Sequence, residues 1–294
     1  MPHPFDENPD RRFTALLLGV GQLRPAEAGP AERRVTEQLD ALVRGSPDPN
    51  IVPRLPVVLP RLIALVRRDE ASPRELVERL SHDPTLVGEV VRLANSPRYR
   101  TGRDIADLHE AVLVLGQRGL IQIVIGATMR PLFDAHQGRF SRIAGKTVWE
   151  LAQRCSQACG DLCDQSVDRF QAYLAGMAAN IGLIAALRVL DGRYPGQQPP
   201  DTEGFHDALC GAAARLSGRI ARQWDFPRAV YRAIEQRVDS QAAASGDRLM
   251  QTLRTADRIS KWHLLMPGLP ESALAGLAEP ERRCYLELER AFGR

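Results

Sequence analysis

Cys155, Cys159 and Cys163 form the most conspicuous set of side chains able to do chemistry. On a helix their four-residue spacing stacks them on one face, where the sulfurs approach one another. Metal or redox chemistry could use thiolates so arranged, but a structural zinc site needs four ligands and typically draws them from loops as C-x2-4-C pairs. Packing is the favoured reading, because free cysteine is a small and usually buried hydrophobe. Ala152 extends the same narrow stripe, which lets a neighbouring helix come close. His206 heads the stripe Leu209, Ala213, Leu216 and Ile220. It reads as a hydrogen-bonded histidine at the edge of a core, ahead of a ligand or base. Asp257 follows Leu253 by four residues and Leu249 by eight, on an apolar face. A carboxylate there is costly unless paired or hydrogen-bonded. It is either a structural acceptor or the remnant of a site.

A fourth group is basic. Arg92, Arg98, Arg100 and Arg103 crowd around Tyr99, and arginine forks beside an aromatic ring can bind phosphate and stack a base. Composition weighs against that use. Of the 39 basic residues only Lys146 and Lys261 are lysines, leaving 39 − 2 = 37 arginines, so a local cluster is expected by chance. A solvated or partner-facing surface is the default for it. The net charge of +3 is too small an excess to suggest a nucleic-acid protein. The sequence has no P-loop, no Gly-rich dinucleotide turn and no G-x-S-x-G elbow, so motifs supply no catalytic centre.

The 294 residues are enough for one large or two modest domains, and 44% hydrophobic content is ordinary for a soluble globular chain. Residues 1–10 lack the basic-then-apolar pattern of a signal peptide. The uncharged stretch Ala172 to Leu187 falls short of the ~20 apolar residues of a membrane span. Five cysteines do not read as a disulfide framework. The expectation is a cytoplasmic protein with no cofactor and no membrane attachment.

The elements read as helices throughout. Residues 1–50 form an N-terminal extension, with an apolar run from Phe13 to Val20, a helix from about Pro30 to Val43, and a linker at Gly45 to Asn50. Leu55, Val58, Leu62, Leu65 and Val66 then follow helical steps. Ser72-Pro73 and Asp83-Pro84 are cap-and-proline helix starts. The second start opens a stripe of Val87, Val90, Val91 and Ala94 that ends at Asn95-Ser96-Pro97. The apolar run Leu120 to Ile125 is taken as a helix buried all round. Arg130 to Gly145 reads as a polar connection between two subdomains. Further helices are expected at Thr147 to Cys163, Ser166 to Val189, Gly204 to Gln223, Pro227 to Val238, Asp247 to Leu264 and Glu271 to Ala291. The fold class is all-α.

Leu55-Pro56-Val57-Val58, Ser81-His82-Asp83-Pro84, Arg92-Leu93-Ala94-Asn95-Ser96, and Ile105 through Glu110-Ala111-Val112 to Leu115-Gly116 occur in an order and spacing that resemble the HDOD family, the HD-related output domains of bacterial signalling proteins. The likeness continues through Trp149, Tyr173-Leu174-Ala175-Gly176-Met177, the helix from His206 to Trp224, and Ala256-Asp257-Arg258. It implies a two-part helical body over 51–264, with subdomains at about 51–132 and 146–264, and leaves residues 1–50 and the C-terminal helix in 265–294 outside it. It also implies kinship with HD phosphohydrolases, which hold a divalent metal with a His, a His-Asp pair and a later Asp. Here Ala152 stands at the first position and Ala179-Asn180 at the pair. Asp257 alone survives, and Gln236-Arg237 occupies a place where relatives often carry histidines. Alanine offers no lone pair and Asn only a neutral carbonyl, so neither a metal nor a catalytic residue is expected.

The resemblance therefore implies a non-catalytic signalling module. It would act by contact with a diguanylate cyclase, histidine kinase, response regulator or second copy of itself. The alternative is a nucleotide sensor or residual hydrolase that uses a degenerate pocket of Ala152, Ala179, Asn180, His206 and Asp257.

Overall fold

The computed structural model describes residues 5, 8–45, 51–55, 59–60, 63, 73–82, 84–96, 102–134, 138–238 and 247–293. Among them it is helical, with no strand beyond a single bridge between Arg24 and Thr202. The chain divides into two compact units, residues 55–132 and residues 1–54 with 133–294. The N-terminal segment and the last helix fall in the larger unit.

The larger unit contains α1 (Asp10–Leu18), α2 (Pro30–Arg44), α6 (Arg139–Leu162), α7 (Arg169–Ala178), α8 (Ile181–Arg193), α9 (Glu203–Gln223), α10 (Arg228–Gln236), α11 (Arg248–Leu265) and α12 (Glu279–Phe292). Three of its helices begin as local chemistry dictates. Asp168, Thr202 and Asp247 each accept from a backbone N–H three residues on, those of Gln171, Phe205 and Met250. α6 begins otherwise. Asp191, at the end of α8, accepts from the N–H groups of Phe140 at 2.6 Å and Ser141 at 3.1 Å. This cap from a distant helix lets α6 start at Arg139, inside the stretch expected as a connection.

Two other expectations are corrected. Ser166 to Val189 is not one helix, because the chain turns at Ala179-Asn180 between α7 and α8. Glu271 to Ala291 divides into a 3-10 turn, Glu271–Leu274, and α12, which starts beside Pro280.

α6 packs on α7 and α11, and α9 packs on α8, α10 and α2. Glycines permit the closest approaches. A Cβ on Gly176 would lie 2.6 Å from the Cys155 carbonyl, and one on Gly182 would lie 2.0 Å from the Ala213 carbonyl. Cys155 and Cys159 are buried in that packing, and burial and the neighbouring Cys155 push the Cys159 thiol well up. Phe5 is buried edge-on against Trp262, with centroids 5.7 Å apart. Full burial of such rings contributes about 1.5–3 kcal/mol each, which fixes the N-terminal segment on α11 and α12. By length and apolar composition Leu108–Phe133 and the α7–α8 stretch Arg169–Arg193 would both pass as membrane spans, and the second is 94% buried inside the protein, as core helices are.

The smaller unit holds α3 (Pro73–Ser81), α4 (Pro84–Ala94) and α5 (Leu108–Phe133), the last kinked at Gly116, where φ is +70°. Val90 and Ala94 are fully buried, whereas Val87 and Val91 are half-buried. Leu120 and Ile123 to Ile125 are buried within α5. Asn95 ends α4 and clips the next loop, donating to the Ile105 carbonyl at 2.7 Å and accepting from its N–H at 2.8 Å.

Candidate functional site

Asn180 and Asp257 meet inside the larger unit, where each is less than one-tenth exposed. The Asn180 Nδ2–H donates to Asp257 Oδ1 at 2.7 Å. Lys261, one turn further along α11, donates from Nζ to Asp257 Oδ2 at 2.6 Å. The same ammonium donates to Asp10 Oδ1 at 2.6 Å, joining the first turn of α1 to the site. Arg237, just after α10, donates to the Ala179 carbonyl at 2.5 Å, lies 3.5 Å from Asn180 Oδ1, and brings Nε within 3.9 Å of Asp257 Oδ2.

Electrostatics make this a closed set. Burial alone would raise the Asp257 carboxyl, but the charges of Lys261 and Arg237 and the hydrogen bonds from Lys261 and Asn180 hold it below the ordinary carboxylate value. Burial works against the Lys261 ammonium too, yet Asp10 and Asp257 raise it above an ordinary lysine. Two carboxylates, Asp10 and Asp257, face two permanent cations.

A divalent metal does not fit these residues. Among those described, no group of three or more His, Cys, Asp and Glu side chains is placed to hold one. Ala152 and Ala179 are fully buried and present only methyls, and the Ala179 carbonyl is engaged by Arg237. Asn180 directs amide hydrogens, not its oxygen, at Asp257. A dication beside Asp257 would meet those hydrogens on one side and an ammonium on the other.

His206 does not join Asn180 and Asp257. Its Nε2–H donates to the Pro200 carbonyl at 3.1 Å, and its Nδ1 shares a hydrogen bond with the Thr14 hydroxyl at 2.8 Å, fastening α1 to α9. Burial lowers its affinity for a second proton. In the basic cluster Arg92 is exposed with its fork closed on Glu89, and Arg103 is exposed. Arg98, Tyr99 and Arg100 lie outside the described residues. Sequence reasoning missed Asp10 and Lys261. The available signal was that Lys261 is one of two lysines in a chain that otherwise uses arginine.

A cavity of about 410 Å³ opens beside the network, bordered by Asn8, Asp10, Arg237, Arg254, Asp257 and Arg258. A wider groove of about 1080 Å³ runs along α1, where Leu16 and Val238 are roughly half exposed and Arg11 is bound by Glu203 and Asp207.

The family model described as the HDOD domain matches residues 52–240. The chain belongs to the HDOD family. Solved HDOD-type structures share its fold. A Geobacter sulfurreducens HDOD domain protein of unknown function aligns with a TM-score of 0.63 and 17% identity over 88% of this chain and 95% of its own. A Shewanella amazonensis protein, named as an expectation a metal-dependent phosphohydrolase, gives 0.61 and 16% over 90% and 99%. A Marinobacter aquaeolei protein, named likewise a signal transduction protein, gives 0.57 and 21% over 96% and 63%. An uncharacterized Treponema pallidum protein is 23% identical over 200 residues, which are 62% of this chain but 37% of that protein. This HDOD chain therefore spans little more than a third of that relative's length.

Proposed function

We propose that this HDOD protein is a non-catalytic bacterial signal-transduction module of the cytoplasm that acts by protein–protein contact. Its partner would be a diguanylate cyclase, a histidine kinase, a response regulator or a second copy of the chain. The observation that carries the reading is the occupation of both Asp257 oxygens, one by the Asn180 amide and the other by the Lys261 ammonium. A hydrolytic metal site keeps an open position for water or substrate, and this arrangement provides none. The half-exposed Leu16 and Val238 beside the α1 groove support a contact surface.

Two measurements test it. Purified protein with Mn²⁺ or Mg²⁺ should leave bis(p-nitrophenyl) phosphate intact, and sustained turnover lost in Asp257→Ala would defeat the reading. A pull-down against a panel of the named signalling proteins should capture one of them through the intact chain but not through Leu16→Glu.

The cavity bordered by Arg237, Arg254 and Arg258 favours one second reading, a nucleotide sensor. A melting-temperature rise with a nucleotide, abolished by Asp257→Ala, would establish it, since a ligand bound only by the folded state must stabilise it.

A further inference from the structure

We propose that Lys261 is a built-in cation. Its ammonium lies between Asp257 and Asp10, supplies the positive charge those two carboxylates would otherwise have to draw from a bound cation, and so clamps the N-terminal helix onto the site. The inference rests on the reading of the site as non-hydrolytic and names what occupies it.

Three observations carry it. First, carboxylates from the two ends of the chain converge on one nitrogen, each at 2.6 Å, with the lysine side chain 8% exposed. A charge so placed is sustained only by partners of opposite sign. Second, Asp10 and Asp257 against Lys261 and Arg237 sum to zero, so no unbalanced negative charge is left to attract a dication. Third, the chemistry selects the residue type. An ammonium is a compact point charge with three donors, which suits two carboxylates approaching from different helices. A guanidinium is a wide planar fork that pairs best with one. In a chain with 37 arginines and two lysines, it is a lysine that stands between these two acids. Further contacts hold the same segment, from Thr14 to His206 and from Phe5 to Trp262. The lysine adds the contact made inside the degenerate site.

The test is chemical rescue in the full chain. Lys261→Ala leaves room for a free alkylammonium ion, and its melting temperature should fall by about 6–20 °C, as expected for loss of one partner of a buried pair. n-Butylammonium chloride should restore at least half of that loss, whereas equal concentrations of potassium or tetramethylammonium chloride should not. Trypsin cleavage after Arg11 and Arg12, followed by mass spectrometry, should speed up in the variant and slow again with the amine. Equal action of all three salts, or a variant that melts with the wild type, overturns the inference. Should Lys261→Ala not fold, Asp10→Asn serves, since it keeps the lysine on Asp257 but weakens the clamp. Unchanged cleavage after Arg11 in that variant overturns the proposal equally. Hydrolysis by the wild type would defeat the functional reading, whereas amine rescue is read without reference to activity, so the two failures are distinct.

Discussion

Asn180→Asp changes one atom of the site and reverses what Asp257 meets. In the wild type an amide N–H donates to a buried carboxylate at 2.7 Å, a hydrogen bond to a charged group worth about 1.5–3 kcal/mol. In the variant two carboxylate oxygens stand at that distance. With an effective dielectric constant of about 20, their repulsion is about 6 kcal/mol, and the new attraction to Arg237, 3.5 Å away, is about 5 kcal/mol. The residual repulsion and the lost bond together destabilise the folded state by about 3–4 kcal/mol at pH 7.5. For a unit of this size that lowers the melting temperature by about 6–16 °C.

The sign of the pH dependence follows from the same geometry. Carboxylates this close share a proton, so one member of the pair titrates above its unfolded value. A raised folded value means that the penalty is smallest at acid pH and grows as pH rises through the pair's titration. Melting curves at pH 5 and 7.5, read as variant minus wild type, should therefore show the larger deficit at pH 7.5. A deficit under 2 °C at pH 7.5, or one that deepens at pH 5, would refute the placement of Asn180 against Asp257.

Three further outcomes are expected. Gly182→Ala should lower stability by about 3 kcal/mol or more, because its Cβ would press 2.0 Å from the Ala213 carbonyl, whereas Gly160→Ala, with open space at that point of α6, should be neutral or stabilising by up to about 1 kcal/mol; urea melts of both check the contrast. The buried His263, which accepts from Arg154 at 3.1 Å, is pushed by burial and by that cation from 6.5 down to about 4, so its contribution is complete above pH 6.5 and is lost as pH falls towards 4, by at most about 3 kcal/mol; His263→Gln should flatten that part of the stability–pH curve. Asn95→Asp keeps the bond from the Ile105 N–H but sets a carboxylate against the Ile105 carbonyl, and hydrogen exchange should report loosening of residues 91–96 and 102–105 while the larger unit stays protected.

What was legible in the sequence was what neighbours along the chain decide. The helix start at Asp247, the proline starts at Pro73 and Pro84, and the helix through Leu120 to Ile125 need only local chemistry, and they stand where expected. The misses share a cause, a partner distant in sequence. α6 starts at Arg139 because Asp191, some fifty residues on, accepts its free N–H groups. No glycine or proline marks the turn at Ala179-Asn180. It holds because the Ala179 carbonyl has Arg237 and the Asn180 amide has Asp257, both of which the fold delivers. His206 lay on the expected stripe, but Thr14 and Pro200, visible only in three dimensions, settle what it binds.

The site makes the same point in terms of charge. The family resemblance makes Ala152, Ala179 and Asn180 read as missing ligands, and on its apolar stripe a lone Asp257 looks like a residue whose burial would be costly. The structure supplies the compensation from both ends of the chain, with Lys261 and Arg237 as cations and Asp10 as the second carboxylate. A carboxylate stays ionised in a low-dielectric interior only if cations reach it. Asp257 is the anchor of such an internal ion network. The arginine-rich composition, uninformative as a total, matters through its exception, the one lysine placed where a single compact charge had to satisfy two acids.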